Sequence, residues 1–262
     1  MEGTLTIKER LALIRRRRLA VLVGLGLVMA AAVVAAVALG AVSLPLTTTT
    51  RIIASRLPLL NRLVSADWTS NQEAIIVSVR LPRVLLALLV GMGLALAGAI
   101  LQALFRNPMA DPGIIGSSQG AALGATIAFF FGIKASWGGL SAVQVLAFAG
   151  AFFAVVVVYV IARAGGRVSV TSLLLVGFVL SSFLASVVSL LMVISEDRMH
   201  NIFFWLMGGM GTANWDMVVA VTPFILVGSA LSLLFARDLN LIVLGEERAS
   251  QLGLEAERFR WV

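Results

Sequence analysis

Residues that build catalytic and metal sites are scarce in this chain of 262 residues, which has no cysteine and a single histidine, His200. The lack of cysteine excludes a disulfide framework and thiolate metal sites. A lone histidine without partners at ligand spacing is typical of an interfacial side chain, not of a metal ligand. The two lysines, Lys8 and Lys134, lie outside any Gly-x4-Gly-Lys-Ser/Thr sequence, so the chain is not itself a P-loop ATPase.

Charge is also scarce. Only 13% of the residues are charged and 60% are hydrophobic, whereas a soluble domain carries about a quarter charged residues. The net charge of +7 comes from basic residues that flank apolar runs. They do not form a face interleaved with aromatic residues, so nucleic acid is not a predicted partner. The composition predicts an all-α integral membrane protein that contacts the lipid bilayer.

Six apolar runs approach the roughly 20 residues that a helix needs to cross a bilayer. The first follows the basic residues 15–18 as a signal peptide would, but it is too long and further runs follow, so we predict a retained anchor. Pro82 is expected to start the second helix. The sequence therefore predicts a polytopic bundle of about six transmembrane helices, within residues 19–42, 84–101, 114–133, 140–162, 173–194 and 217–236.

The distribution of lysine and arginine predicts the orientation of the chain. With a cytoplasmic N-terminus, most of the 20 basic residues fall in cytoplasmic segments, as the positive-inside rule requires. Several arginines nevertheless fall on the predicted outer side before the second run, and they call for a functional explanation. They are Arg51, Arg56, Arg62, Arg80 and Arg83.

Two proline-containing pairs, Asn107-Pro108 and Asp111-Pro112, separate the second run from the third. Proline biases the preceding residue away from helix, so the backbone must turn here. The side chains of Asn107 and Asp111 are suited to hydrogen bonds with nearby amides, and Asp111 is a candidate cap for the third helix. The segment is either a simple turn between two helices or a rigid cytoplasmic corner that meets a partner.

Small residues recur in the third run. Gly116, Gly120 and Gly124 fall at every fourth position and share one helix face. Such a face lets a neighbouring backbone approach closely. Helix packing is the predicted role of these glycines, with pore lining as the alternative.

Uncharged polar side chains mark the fifth run. Ser182, Ser186 and Ser189 share a face there, and polar residues inside a membrane tend to face the bundle or a water-filled path. A serine also satisfies itself by bonding to the carbonyl one turn back, so both interpretations stay open. The middles of the six runs hold no Asp, Glu, Lys, Arg or His, which argues against a proton- or sodium-coupled carrier.

After the sixth run, residues 238–260 mix charged and apolar side chains. The pattern predicts two short amphipathic helices that break near Gly253. A cytoplasmic tail that lies on the membrane surface is the alternative.

Six sequence blocks follow one another in a defined order, beginning with Arg80-Leu-Pro-Arg83. The others occupy residues 98–112, 116–121, 172–177, 204–209 and 241–254. Together they resemble the FecCD- and BtuC-like permease subunits of ABC importers for iron-siderophore complexes, haem and vitamin B12. Those permeases resemble bundles of about ten spanning helices. The resemblance therefore implies that residues 1–262 form one partial permease domain, with a naturally short six-span protein as the alternative.

The resemblance implies a membrane-spanning subunit of a binding-protein-dependent ABC importer in the cytoplasmic membrane of a prokaryote. The expected cargo is an iron(III)-siderophore complex. Cobalamin and haem are the alternatives within the family, and a six-span secondary carrier or channel is the alternative from another class. The chain is expected to bind no cofactor and to catalyse no reaction, because ATP and magnesium bind a partner. The implied partners are ABC ATPase subunits, an extracytoplasmic substrate-binding protein and a second permease subunit.

The resemblance also implies roles for particular residues. Arg80 and Arg83 are expected to meet acidic residues of the binding protein, since paired charges give register and speed encounter. The fifth run is expected to lie beside the translocation path. Residues 238–260 are expected to form a cytoplasmic coupling loop that rests in a groove of the ATPase. Its expected contact residues are Leu244, Gly245, Glu246, Ala249, Leu252 and Gly253.

Overall fold

The computed structural model describes residues 6–56, 62, 64–164, 169–245 and 251, and most of these residues are helical. The chain divides into two compact units, an N-terminal unit, Met1–Leu85, and a C-terminal unit, Leu86–Val262. Large apolar side chains stay exposed along the long helices. Helices that are apolar all round are typical of a protein surrounded by lipid, and the predicted all-α integral membrane fold is confirmed.

The helices of the N-terminal unit enclose a small apolar core. Val37, Ile52 and Ile76 are fully buried and pack together, so the end of the first helix is joined to the second helix and to the π-helical segment. The first helix runs unbroken for 32 residues. The basic residues 15–18 and most of the first apolar run therefore lie on one continuous helix. The elements are α1 (Ile7–Ala38), α2 (Leu46–Ser55), α3 (Ser70–Ala74), a π-helical segment (Ile75–Arg80) and the start of α4 (Leu81–Phe105).

Helix α3, the π-helical segment and α4 form one continuous helix of 36 residues. The prediction that this helix starts at Pro82 is wrong, because it begins at Ser70. Pro82 has no amide proton, and in a regular α-helix its ring would clash with the carbonyl of Ser78. The wider π turns absorb the proline, and the Leu81 amide bonds to the Ile76 carbonyl, five residues back.

The C-terminal unit packs a short helix against two long ones. A small antiparallel hairpin, in which Trp137 pairs with Leu140, joins the first two of these helices. The unit contains the rest of α4, a 3-10 segment (Pro112–Ile115), α5 (Ser117–Phe131), β1 (Ser136–Trp137), β2 (Leu140–Ser141), α6 (Ala142–Arg163), α7 (Val170–Ile194), a second 3-10 segment (Glu196–Arg198), α8 (Met199–Leu206), α9 (Trp215–Leu234) and α10 (Ala236–Val243).

Five helices in the described part of the chain are long and apolar enough to cross a bilayer, one fewer than the six apolar runs of the sequence. The third run is the exception, because α5 has only 15 residues and rises about 22 Å. Gly116 and Gly132 bound it with positive φ angles of 85° and 63°. Left-handed glycines end a helix readily, so α5 stops short of the predicted length at both ends.

Candidate functional site

Arg80 is buried inside the N-terminal unit, with 7% of its surface exposed. Its guanidinium donates to the carbonyls of Val37 at 2.9 Å and Ala38 at 2.7 Å, and also to that of Val42. The last carbonyls of a helix lack hydrogen-bond partners within the helix and form the negative end of its dipole. A guanidinium at this end is therefore stabilised both by hydrogen bonds and by the dipole. Arg80 therefore caps α1. Its burial does not favour the predicted contact with a binding protein, which stays a prediction.

Gly40 makes room for this cap. A Cβ atom built on Gly40 would lie 2.8 Å from the guanidinium carbon of Arg80, which is closer than real Cβ contacts come. The guanidinium of Arg80 can therefore reach these carbonyls only because residue 40 is a glycine. We call this arrangement the α1 cap, comprising Arg80, Gly40 and the three carbonyls named above.

Two other arginines of the predicted outer segment are paired locally. Arg51 donates to the carboxylate of Asp67 and to Ser65 at 3.0 Å. Arg56 pairs with Glu73, which also accepts a hydrogen bond of 3.1 Å from the indole of Trp68. Arg51 and Arg56, two of the five arginines on the predicted outer side, therefore have acidic partners within this chain.

Arg83 lies one turn beyond Arg80 on the same helix and is exposed. Of the two arginines expected to meet a binding protein, Arg83 is the exposed one, and its docking role stays a prediction. The structure therefore separates the pair that the sequence groups together.

In the corner between α4 and α5, side chains accept hydrogen bonds from backbone amides two residues further along. Arg106 ends α4 with a positive φ of 50°. The Asn107 side-chain oxygen accepts from the amide of Met109 at 2.9 Å, and the Asp111 carboxylate accepts from the amide of Gly113 at 2.7 Å. Asp111 thus caps the 3-10 segment that Pro112 begins, and the third predicted helix starts only after that segment. Pro108 lies between the two capping residues of this corner.

Helices α5 and α6 approach so closely that their backbones touch. A Cβ atom on Gly120 would lie 2.4 Å from the Gly150 carbonyl oxygen, and one on Gly124 would lie 2.0 Å from that of Leu146. From the other side, a Cβ atom on Gly150 would lie 2.2 Å from the Gly120 oxygen. Gly120 and Gly124 therefore serve helix packing, while Gly116 ends the preceding turn. We call this contact the α5–α6 seam.

Two glycines in this region were not singled out by the sequence. Gly150 supplies the opposite half of the α5–α6 seam. Gly177 on α7 lies against the 3-10 segment, where an added Cβ would come within 2.4 Å of the Ile114 carbonyl oxygen. Each is a single glycine inside a long apolar helix, and that pattern could have indicated both. Glycine destabilises a helix relative to alanine, so its presence there suggests close approach of another backbone.

Arg198 is a second capping arginine that sequence reasoning missed. Its guanidinium donates to the carbonyls of Phe129 at 2.8 Å and Phe130 at 2.7 Å, at the end of α5. A Cβ atom on Gly132 would lie 2.6 Å from the same guanidinium. We call this arrangement the α5 cap. An arginine within four residues of the end of a long apolar helix was the available signal.

The three serines of α7 are exposed and bond only along their own helix. The hydroxyls of Ser182, Ser186 and Ser189 donate to the carbonyls four residues back, at 2.9, 2.9 and 3.0 Å. The buried residues of α7 lie on another part of its surface and include Leu184 and Val188. The serine face is therefore left open by the described part of the C-terminal unit.

The expected coupling segment begins beside the α4–α5 corner. Helix α10 ends at Val243, its C-cap residue Leu244 is exposed, and Gly245 follows with a positive φ of 102°. The guanidinium of Arg106 lies 3.8 Å from the position that a Cβ atom would take on Gly245. Two elements that the sequence predicts to be cytoplasmic thus lie together. The other expected coupling residues lie outside the described residues: Glu246, Ala249, Leu252 and Gly253.

Within the described ranges, no group of three His, Cys, Asp or Glu side chains is placed to hold a metal ion. The imidazole of His200 packs edge-on against the ring of Phe204, with ring centres 5.2 Å apart.

The class of the protein follows from these observations: it is a multi-pass helical membrane protein. Residues 27–262 match the model of the FecCD transport family, and the chain belongs to that family. Over 71% of its length it is 42% identical to the cobalamin import system permease protein BtuC of Halobacterium salinarum. Over 73% of its length it is 41% identical to the molybdate import system permease protein MolB of Haemophilus influenzae.

The hemin transport system permease protein HmuU of Yersinia pestis is 39% identical over 72% of the chain. The matched regions make up 49%, 56% and 58% of these three relatives, so the chain spans about half the length of the curated relatives it matches. The fold is also similar to that of a solved structure described as an inward-facing conformation of a metal-chelate type ABC transporter. The TM-score is 0.74 at 34% identity, covering 92% of this chain and 70% of the solved one.

Proposed function

We propose that this chain is the membrane-spanning permease part of a binding-protein-dependent ABC importer in the cytoplasmic membrane of a prokaryote. The observation that carries the proposal is the family match over residues 27–262. The similarity in fold to an ABC transporter over 92% of the chain supports it. Energy comes from ATP hydrolysed by a separate subunit, because the chain has no P-loop sequence of its own.

The proposed mechanism couples two distinct sites through rigid helices. On the inner side, an ATPase binds the segment that follows α10, and the position of Arg106 near Gly245 supports a connection from that segment to the α4–α5 corner. On the outer side, a binding protein docks near Arg83, while Arg80 stabilises the helix end beneath it. The N-terminus is then cytoplasmic. A second permease subunit completes the central path.

The proposed path runs along the serine face of α7. Ser182, Ser186 and Ser189 are exposed there, and each hydroxyl oxygen has acceptor capacity left after donating to its own helix. Nothing ionisable lies on this stretch of α7. A neutral polar lining suits a bulky chelate that must pass without being held.

We propose an iron(III)-siderophore complex as cargo, with cobalamin and haem as the alternatives. Relatives named for cobalamin, hemin and Fe(3+)-citrate support a metal chelate as the class of cargo. The relative named for molybdate shows that the family is not confined to iron. The metal arrives inside its chelate, so the permease needs no metal site.

The test is uptake of a labelled panel of iron-siderophores, cobalamin, haem and molybdate in cells that express the full gene with its partner ATPase. We expect uptake of one metal chelate, abolished when the Walker A lysine of the ATPase is replaced. Gly245→Ala is expected to lower uptake severalfold, because alanine is strained at a φ of 102°.

The matched control is Gly228→Ala, whose added methyl meets nothing within 4 Å and which is expected to leave uptake unchanged. Uptake that persists with the inactive ATPase would refute the ABC assignment and return the chain to the carrier class. Uptake of molybdate alone would refute the chelate assignment.

A further inference from the structure

The basic residues at the start of α1 continue directly into its apolar part. Helix α1 has no break between Ile7 and Ala38. The uncharged stretch from Leu19 to Ala38 rises about 30 Å, which matches the hydrocarbon thickness of a bilayer. Arg17 and Arg18 therefore lie at the level of the lipid headgroups when this stretch spans the membrane.

One face of α1 combines these two arginines with apolar side chains. Ile14, Arg17, Arg18, Val21 and Leu22 line one open groove on the surface. Their spacing of three and four residues is that of a single helix face. The face is therefore cationic at the headgroup level and apolar immediately beneath it, which is the polarity pattern of a phospholipid.

The charges on this face are unpaired within the described part of the chain. Arg17 and Arg18 are exposed, and the ion pairs Arg51–Asp67 and Arg56–Glu73 involve other arginines. The acidic residue of this part of α1 is Glu9, whose carboxylate is engaged by the amide and hydroxyl of Thr6 at 2.8 and 2.9 Å. The described residues therefore offer these two guanidinium groups no anionic partner, and both are accessible to an external anion.

We propose that this face of α1 binds an anionic phospholipid. The phosphate accepts hydrogen bonds from Arg17 and Arg18, whose planar forks suit phosphate oxygens. The acyl chains lie along Val21 and Leu22. A basic cluster next to a spanning helix attracts anionic lipid in any case. The proposal is narrower, because it assigns the lipid to one face. It does not depend on the proposed transport function.

The test compares two pairs of charge-neutralising substitutions in the full chain. R17Q/R18Q removes two charges from the groove, and R15Q/R16Q removes two charges from adjacent positions that do not line it. Both variants have the same net charge. Each protein is reconstituted in vesicles of phosphatidylcholine and phosphatidylglycerol in equal parts and extracted in mild detergent. The lipids retained per chain are then counted by native mass spectrometry, and circular dichroism checks that the helix content is unchanged.

We expect the unsubstituted chain to retain phosphatidylglycerol in preference to phosphatidylcholine. R17Q/R18Q should lower that preference roughly 25-fold, since the headgroup loses two guanidinium partners that each contribute a roughly fivefold factor. R15Q/R16Q should change it little. Millimolar inorganic phosphate should not displace the lipid, because free phosphate lacks the acyl chains.

Three results would overturn the proposal. Equal losses in the two variants would mean diffuse attraction without a site. Displacement by inorganic phosphate would mean a simple anion site. An absence of preference in the unsubstituted chain would mean that another part of the protein covers this face.

Discussion

Arg80 and Arg198 cap helix ends in two units that are packed very differently. In the C-terminal unit, α5 is buried along its length, from Gly120 to Ala128, by the α5–α6 seam. In the N-terminal unit, α1 is buried only near its end, at Val37 and Ala38. The arginine cap therefore contributes differently to stability in the two units. For α5 it adds to extensive helix packing, whereas for α1 it is one of the main contacts that hold the helix.

The environments of the two guanidinium groups agree with this difference. Arg80 is buried and bonds to three carbonyls, whereas Arg198 is half-buried and bonds to two. Buried carbonyls that lose a charged donor are left unsatisfied, and the cost grows with their number and burial. Substitutions in each unit test whether the two caps contribute differently to stability.

The largest effect is expected at the α5–α6 seam. Gly124→Ala should lower the free energy of unfolding by roughly 3 kcal/mol or more, because its methyl would lie 2.0 Å from the Leu146 carbonyl oxygen and the helices must separate. Unfolding by denaturing detergent, followed by circular dichroism, measures it.

Gly91→Ala on α4 is the matched control for that substitution. Its added methyl meets nothing within 4 Å, so it should stabilise the helix by about 0.5–1 kcal/mol. Equal stability of the two variants would show that the α5–α6 seam does not stabilise α5. The conclusion that the two units differ in how their helices are held would then be wrong.

The second effect separates the two caps. Arg80→Gln should cost about 2–3 kcal/mol and Arg198→Gln about 1–2 kcal/mol, because the first leaves more buried carbonyls without a charged donor. Unfolding curves of both variants measure the ranking. A larger loss for Arg198→Gln would reverse the conclusion drawn from their environments.

Gly40→Ala tests whether the α1 cap acts as one device. Its methyl would press on the Arg80 guanidinium, so the substitution should destabilise the protein only while Arg80 is present. The double variant with Arg80→Gln should therefore be about as stable as Arg80→Gln alone, since residues in contact are not additive. Fully additive losses would show that Gly40 acts independently of the cap.

Local chemistry explains which parts of this structure could be predicted. The α4–α5 corner followed from proline, asparagine and aspartate, because each acts on amides within two residues of itself. The glycine face of α5 followed from its period of four. The spanning helices followed from run length and hydrophobicity. All three signals lie within a single stretch of sequence.

Long-range contacts explain the rest. The role of Arg80 depends on the carbonyl of Val37, 43 residues earlier, and no local pattern shows that these groups meet. Gly150 matters only because Gly120 lies opposite. Helix α5 is short because glycines with positive φ bound it, and a glycine in the sequence does not reveal its φ. An arginine near a membrane surface fits both an outer partner and a helix end, so the sequence alone could not show that Arg80 caps α1.

The smallest effect on stability is expected on the serine face of α7. Replacing Ser182, Ser186 and Ser189 by alanine should change the free energy of unfolding by less than about 0.5 kcal/mol, because these exposed hydroxyls bond only to their own helix. Uptake of the cargo should nevertheless fall in cells that express the full gene, since the proposed path loses its polar lining.

Ser229→Ala/Ser232→Ala on α9 is the control for the serine face, because these hydroxyls also donate to carbonyls one turn back, at 2.6 and 2.7 Å. It should leave uptake unchanged. Equal losses of uptake in the two sets would reflect a general effect of serine in these helices, and no loss in either would remove the serine face from the path. A loss confined to α7 would show that an open face of the C-terminal unit serves transport, while its seam and cap serve stability.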